Sequence, residues 1–214
     1  VEAPLLVRPY IERMTRSELF ALMTTGMATV AGSVMVAYAG MLGADYAGHL
    51  LTASLLSAPG GLLLAKVMIP ETGTPLTAGS RGADIEDTAV NVFDAAANGA
   101  IAGLRLAGYV GAMLIAFVAL VALANDALGA LGGLVGIENL SFQGVLGLVF
   151  APLAWLMGVP AGEATKVGSL LGVKTVLNEF LAYQQLAVLV KDGEISRRAA
   201  VLASYALCGF ANFG

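Results

Sequence analysis

The chain has 214 residues, 58% of them apolar and 12% charged, and carries a net charge of −4. Ordinary soluble domains are roughly 45–50% apolar and 25% charged, so a soluble globular fold is a poor fit. The acidic balance, with no basic cluster, argues against nucleic-acid binding. One cysteine, Cys208, excludes an internal disulfide, and one histidine, His49, excludes a histidine-rich metal site.

Three stretches carry no charge at all: 19–44, 106–125 and 139–162. Uncharged apolar runs of about 18 residues or more read as membrane spans. The expected fold class is therefore all-α, a polytopic membrane protein. In chain order, Pro4 suits a first helical position, so a short helix is expected over Pro4–Arg13, with Arg8, Arg13 and Arg16 in a polar collar that closes residues 1–16. Residues 17–66 read as two spans joined by a turn at Gly43–Tyr46. Residues 67–103 read as a polar connection, within which Ala89–Leu106 alternates polar and apolar residues at helical spacing and suits an interfacial helix. A third span is expected over 104–125 and a turn over 126–140. Residues 141–162, 165–190 and 199–214 complete the chain. Val1 is not an initiator Met, and 199–214 is short for a span, so residues 1–214 are expected to be one transmembrane domain truncated at both ends.

Lys and Arg collect on cytoplasmic loops. The basic regions are the collar, the connection with Lys66 and Arg81, and the loop 191–198 with Lys191, Arg197 and Arg198; the turns 43–46 and 126–140 hold only acids. Three spans place the first two basic regions inside and both acidic turns outside. The third basic region falls inside only if one later apolar stretch enters and leaves by the same face. Gly158–Gly162 is a suitable tip, so 141–162 is expected to be a re-entrant hairpin, with 165–190 crossing as a broken span. Bare backbone at membrane depth is tolerated only where it is buried in protein or lines a cavity.

Residues 165–190 hold Lys166, Lys174, Asn178 and Glu179 in otherwise apolar sequence. A charge at the bilayer centre costs about 2.5–3.5 kcal/mol on insertion scales, so Glu179 reads as functional. Lys174 either serves a site or pairs with a neighbour; it is five residues from Glu179 and not on the same helical face. Lys166 reads as a snorkelling anchor. Glu2, just before Pro4, is either a capping carboxylate or a site residue. Thr29–Ser33 is either ordinary small-residue packing or a mid-membrane break offering oxygen ligands to Na+. With no HExxH, CxxC or serine-elbow motif, the chain does not read as an enzyme.

Gly172-Val173-Lys174-Thr175-Val176-Leu177-Asn178-Glu179-Phe180-Leu181-Ala182-Tyr183 resembles the signature of the concentrative nucleoside transporters, with Leu181 where valine is usual. The stretches 2–10, 28–38 and 206–214 resemble the same family, so the likeness runs from end to end. It implies a homotrimer in the plasma (inner) membrane, with re-entrant helical hairpins and broken helices around a central site. It implies cation-coupled symport of nucleosides into the cell by alternating access, with Na+ first and H+ as the alternative coupling ion; a passive nucleoside channel is the further alternative. Residue by residue, it implies Glu2 and Val34 at the nucleobase, Glu179 and Asn212 at the ribose hydroxyls, Phe210 in the site wall, and Thr29 and Val30 as Na+ ligands. Val1 departs from the hydroxyl residue usual there. No organic cofactor is implied.

Overall fold

The computed structural model describes residues 7–75, 90–136, 140–210 and 212. Every regular element among them is helical: α1 (Arg8–Ile11), α2 (Arg16–Ala28), α3 (Gly32–Leu42), α4 (Ala47–Met68), α5 (Val92–Val135), α6 (Phe142–Leu156), α7 (Ala164–Val176), α8 (Glu179–Lys191) and α9 (Arg197–Leu207). Among the described residues, three stretches are long and apolar enough to cross a membrane: Arg16–Leu42, Ala44–Met68 and Val92–Leu134.

Helix starts obey local chemistry. Thr15 and Glu18 form a reciprocal capping box on α2, which satisfies two of the amide donors that every helix start leaves open. Asn91, Ser141, Asn178 and Ser196 each accept an amide hydrogen bond at the starts of α5, α6, α8 and α9. The chain ends of α2 and α4 are clasped together. Thr15 Oγ1 donates to Glu71 Oε2 at 2.7 Å, Ser17 Oγ donates to Ile69 O at 2.8 Å, and Lys66 Nζ donates to Ser17 Oγ at 2.8 Å.

The loop at 191–198 lies at the opposite end of α4 from that clasp. Asp45, Tyr46 and His49 share a cavity of about 170 Å3 with Arg197 and Val201, and the His49 and Tyr205 rings meet edge-on at 5.9 Å. The basic loop and the acidic turn 43–46 therefore sit on one face. This corrects the expectation that charge bias separates them. The bias counts crossings without saying which apolar pieces fail to cross, and here basic and acidic groups of the loop region are tied to each other. Lys166 Nζ meets Glu194 Oε2 at 3.0 Å, and Ser196 donates twice to Glu163 at 2.8 Å.

Those same bonds locate the hairpin. They join the start of α7 to the exit of α8, so α7 and α8 are two arms that leave from one face and meet at Leu177–Asn178. Residues 165–190 thus form a hairpin rather than a span running face to face. Residues 141–162 hold one 15-residue helix, α6, and a turn. α6 lies antiparallel against α7 through small residues. A Cβ on Gly168 would stand 2.6 Å from Gly147 O and 2.7 Å from Ala151 N, so the two backbones touch, as small residues permit in membranes.

α5 also differs from expectation. The interfacial helix, the third span and most of the turn after it are one helix of 44 residues. At 1.5 Å per residue it is about 66 Å long, roughly twice the hydrocarbon thickness. The core sits between α3, α7, α8 and α9, around Tyr38, Leu170, Tyr183, Leu186 and Leu207.

Candidate functional site

The hairpin tip carries the chemistry. α7 ends at Val176; Leu177 and Asn178 are non-helical, and Asn178 Oδ1 accepts from Leu181 N at 2.9 Å to start α8. Glu179 is then the first residue of α8, where the positive end of the helix dipole favours a carboxylate. It is 4% exposed. Its Oε1 accepts from the Tyr38 hydroxyl at 3.1 Å. The Asn212 side chain borders the same carboxylate, while Oε2 is buried without a hydrogen bond of good geometry. An acceptor left in that condition costs about 1–3 kcal/mol or more when charged.

Tyr38 is itself fixed. It is fully buried, its ring stacks on Tyr183 at 4.0 Å and 21°, and Tyr183 donates to Ser204 O at 2.7 Å. The carboxylate is thus held by a chain that runs from α3 through α8 to α9.

The second component is the break between α2 and α3. Thr29 and Ala31 are both extended, and Val30 lies between them. Val30 N–H, which no helix bond uses, donates to Ser54 Oγ of α4 at 3.2 Å. Thr29 Oγ1 donates to Thr25 O at 3.2 Å, leaving its lone pairs as acceptors. The C-terminal end of α2 presents carbonyl oxygens and the negative end of a helix dipole. Hydroxyl and carbonyl oxygens are what a hard monovalent cation takes. Among the described residues no group of three His, Cys, Asp or Glu could hold a metal ion.

The third component is the end of α9. Gly209 has φ +91, and a Cβ there would stand 2.8 Å from Ala28 O, so only glycine lets the chain pass the end of α2. Phe210 N–H then donates to Met27 O at 2.6 Å. The chain leaving α9 thus passes the α2–α3 break at this point.

Of the residues expected in the site, Glu179 and Asn212 are brought together. Val34 lies one helical turn before Tyr38 on α3 and packs partly buried on the core. Phe210, Thr29 and Val30 gather where α2 ends. Glu2 falls outside the described residues. Sequence reasoning missed Tyr38 and Ser54. Tyr38 sits four residues after Val34, and that spacing was the available signal; Ser54 lies among small residues and gave none. A cavity of about 430 Å3 opens elsewhere, lined by Gln143, Gly147, Ser169, Gln185 and Val188, so volume does not point to the site and chemistry does.

A buried carboxylate at a hairpin tip, beside the broken helix α2–α3 and the end of α9 in a multi-pass membrane protein, defines the core of a membrane transporter. A family model described as "Na+ dependent nucleoside transporter C-terminus" matches residues 49–214, and the chain belongs to that family, the concentrative nucleoside transporters. It is 46% identical to the nucleoside permease NupC of Helicobacter pylori over 99% of this chain and 50% of that protein. It also resembles a structure described as CNTnw in an inward-facing substrate-bound state, at 47% identity and TM-score 0.83, covering all of this chain and 50% of that one. An outward-facing state of a CNTnw variant matches equally well, at 46% identity and TM-score 0.84, over 100% and 51%. The chain spans about half the length of the curated bacterial relatives it matches. They are named as transporters and permeases, not as enzymes.

Proposed function

We propose that the full-length protein imports nucleosides by cation-coupled symport, with Na+ as the coupling ion. The observation that carries this reading is the Glu179 carboxylate: buried, half-satisfied by Tyr38, and bordered by Asn212. A ribose offers vicinal hydroxyl donors, and a carboxylate oxygen without a partner in a low-dielectric site gains more from them than it would in water. Val34 and Phe210 line the remainder of the site; Glu2, which lies outside the described residues, is assigned to the nucleobase by the family resemblance alone. Thr29 Oγ1 and the Val30 carbonyl contribute to the Na+ site at the α2–α3 break.

Alternating access results if the hairpin α7–α8, with α2, α3 and α9, moves against the long α5. Relatives have been seen in inward-facing and outward-facing states, which supports this reading. The re-entrant hairpin is α7–α8, with its tip at Leu177–Asn178 at membrane depth. We place the protein in the plasma membrane as a homotrimer.

The test is radiolabelled uridine uptake into proteoliposomes holding the full-length protein, with and without an inward Na+ gradient, for wild type and Glu179→Gln. Na+-driven accumulation that Glu179→Gln lowers by about a hundredfold, equivalent to roughly 2.7 kcal/mol, is the expected result. Uptake driven by a proton gradient alone would replace Na+ with H+. Uptake that tracks the nucleoside gradient without accumulation would make the protein a facilitator. Normal uptake by Glu179→Gln would remove the assigned centre.

A further inference from the structure

Lys174 is the only lysine or arginine buried among the described residues, at 8% exposure. It enters neither of the ion pairs found among them. Its ammonium instead donates to Ala206 O at 2.9 Å and to Cys208 O at 3.1 Å. Both carbonyls belong to the C-terminal end of α9, where the last carbonyls of a helix lack partners in the helix itself. That end also carries the negative pole of the helix dipole, which favours a cation.

The C-terminal ends of α2 and α9 are therefore held differently. At the end of α2, Met27 O accepts from the Phe210 amide, and Thr29 adds a hydroxyl. At the end of α9, a cation is already present on a side chain anchored in the hairpin. Two residues beyond Cys208 the chain makes its bond to Met27 O, and two residues further Asn212 reaches the Glu179 carboxylate. Lys174 and Glu179 stand on the two sides of the hairpin tip. Lys174 holds the end of α9, and Glu179 meets Asn212 just beyond it.

We propose that Lys174 is a positioning residue, a tethered cation that fixes the end of α9 so that Phe210 and Asn212 stand correctly beside Glu179. The proposal rests on the reading of Glu179 and Asn212 as the substrate site. It predicts that loss of the ammonium weakens apparent substrate affinity more than turnover, and that charge, rather than bulk, is what matters.

The experiment compares full-length wild type, Lys174→Met and Lys174→Arg by Na+-driven uridine uptake and by hydrogen exchange in detergent. Lys174→Met is expected to raise KM about tenfold with Vmax within about threefold. The Gly209–Phe210 amides should exchange faster in it, while peptides of α4 stay as in wild type. Lys174→Arg, which keeps the charge, is expected to recover most of both effects. A wild-type KM in Lys174→Met, or wild-type exchange at Gly209–Phe210, overturns the proposal, as does exchange that accelerates equally in α4. If Lys174→Met does not fold, Lys174→Gln replaces it, with the same expectations and the same overturning results. If wild type takes up no nucleoside, the reading of function fails, and the exchange comparison alone still decides whether Lys174 holds the end of α9.

Discussion

α5 and α7 are both apolar helices of one chain, and they are built on opposite logic. The most apolar window of α5 has a mean hydropathy of 2.4, yet only 6% of it is buried against the rest of these 214 residues. α7 has 13 residues, eight of them buried, including Lys174. The same inverse order holds across the three long stretches, where mean hydropathies of 2.4, 1.7 and 1.5 go with 6%, 11% and 22% burial. In water the order would run the other way. In a membrane, apolar side chains are at home facing lipid or another surface, and the interior is built from small residues that let backbones meet and from polar residues that find partners there.

The largest expected effect tests that contrast directly. Gly168 of α7 has backbone of α6 where its Cβ would be. Gly168→Val is therefore expected to cost about 3 kcal/mol or more, because the obstruction is backbone rather than a mobile side chain. Gly111 of α5 has nothing within 4 Å of its Cβ position. Gly111→Val is expected to stay within about 1 kcal/mol of wild type, the range of helix propensity. Thermal unfolding of the full-length protein in detergent measures both. Equal losses would mean that α5 is covered by another surface as closely as α7 is by α6, and the contrast between the two helices would fall.

A smaller effect is expected inside the site, where Tyr38→Phe removes one hydroxyl and keeps the ring stacked on Tyr183. Glu179 then loses the donor to its Oε1. A hydrogen bond to a charged group contributes about 1.5–3 kcal/mol, so KM for uridine should rise by about tenfold or more, with little change in unfolding temperature. An unchanged KM would show that substrate supplies its own donors to Oε1, and that Tyr38 only fills the empty site.

Tyr38 also marks the limit of what the sequence discloses. Glu179, Asn178 and Lys174 are legible because charged and amide groups inside an apolar segment need a reason to be there. The α2–α3 break is legible as one of two readings of Thr29–Ser33. Tyr38 is not, since a tyrosine in an apolar helix reads first as packing, and its partner is 141 residues away. The charge pattern places the hairpin one element too early for a related reason. Hydropathy and loop charge see segments 141–162 and 165–190 as two apolar pieces, and either can be the one that turns back. What decides is the pair of contacts Lys166–Glu194 and Glu163–Ser196, which join sequence positions 28 and 33 apart. The length of α5 is hidden because its polar start reads as a separate interfacial helix, although a helix running beyond the bilayer can carry polar residues there.

The smallest effect is expected at the clasp between α2 and α4, outside the spans, where ordinary aqueous electrostatics returns. The Thr15 hydroxyl bond, and after it the Gly73 amide bond, hold the Glu71 carboxyl below the usual carboxylate range. A carboxyl whose folded pKa is depressed adds stability that is complete above its unfolded value and is lost as pH falls through the folded one. Thr15→Val removes the hydroxyl, so Glu71 should titrate closer to its ordinary value, and the pH-dependent part of the stabilisation should shrink. The variant also loses its cap on α2, about 1 kcal/mol at any pH, so the informative quantity is the change in the gap between the two proteins, not the gap itself. Wild type should hold its full advantage at neutral pH and lose part of it as the pH drops below about 4, the ordinary range for Glu. Curves of unfolding temperature against pH that stay parallel would mean that the Glu71 carboxylate is solvated in both proteins. The clasp would then be held by Ser17, Lys66 and the Ile69 carbonyl, with Thr15 acting only as a helix cap.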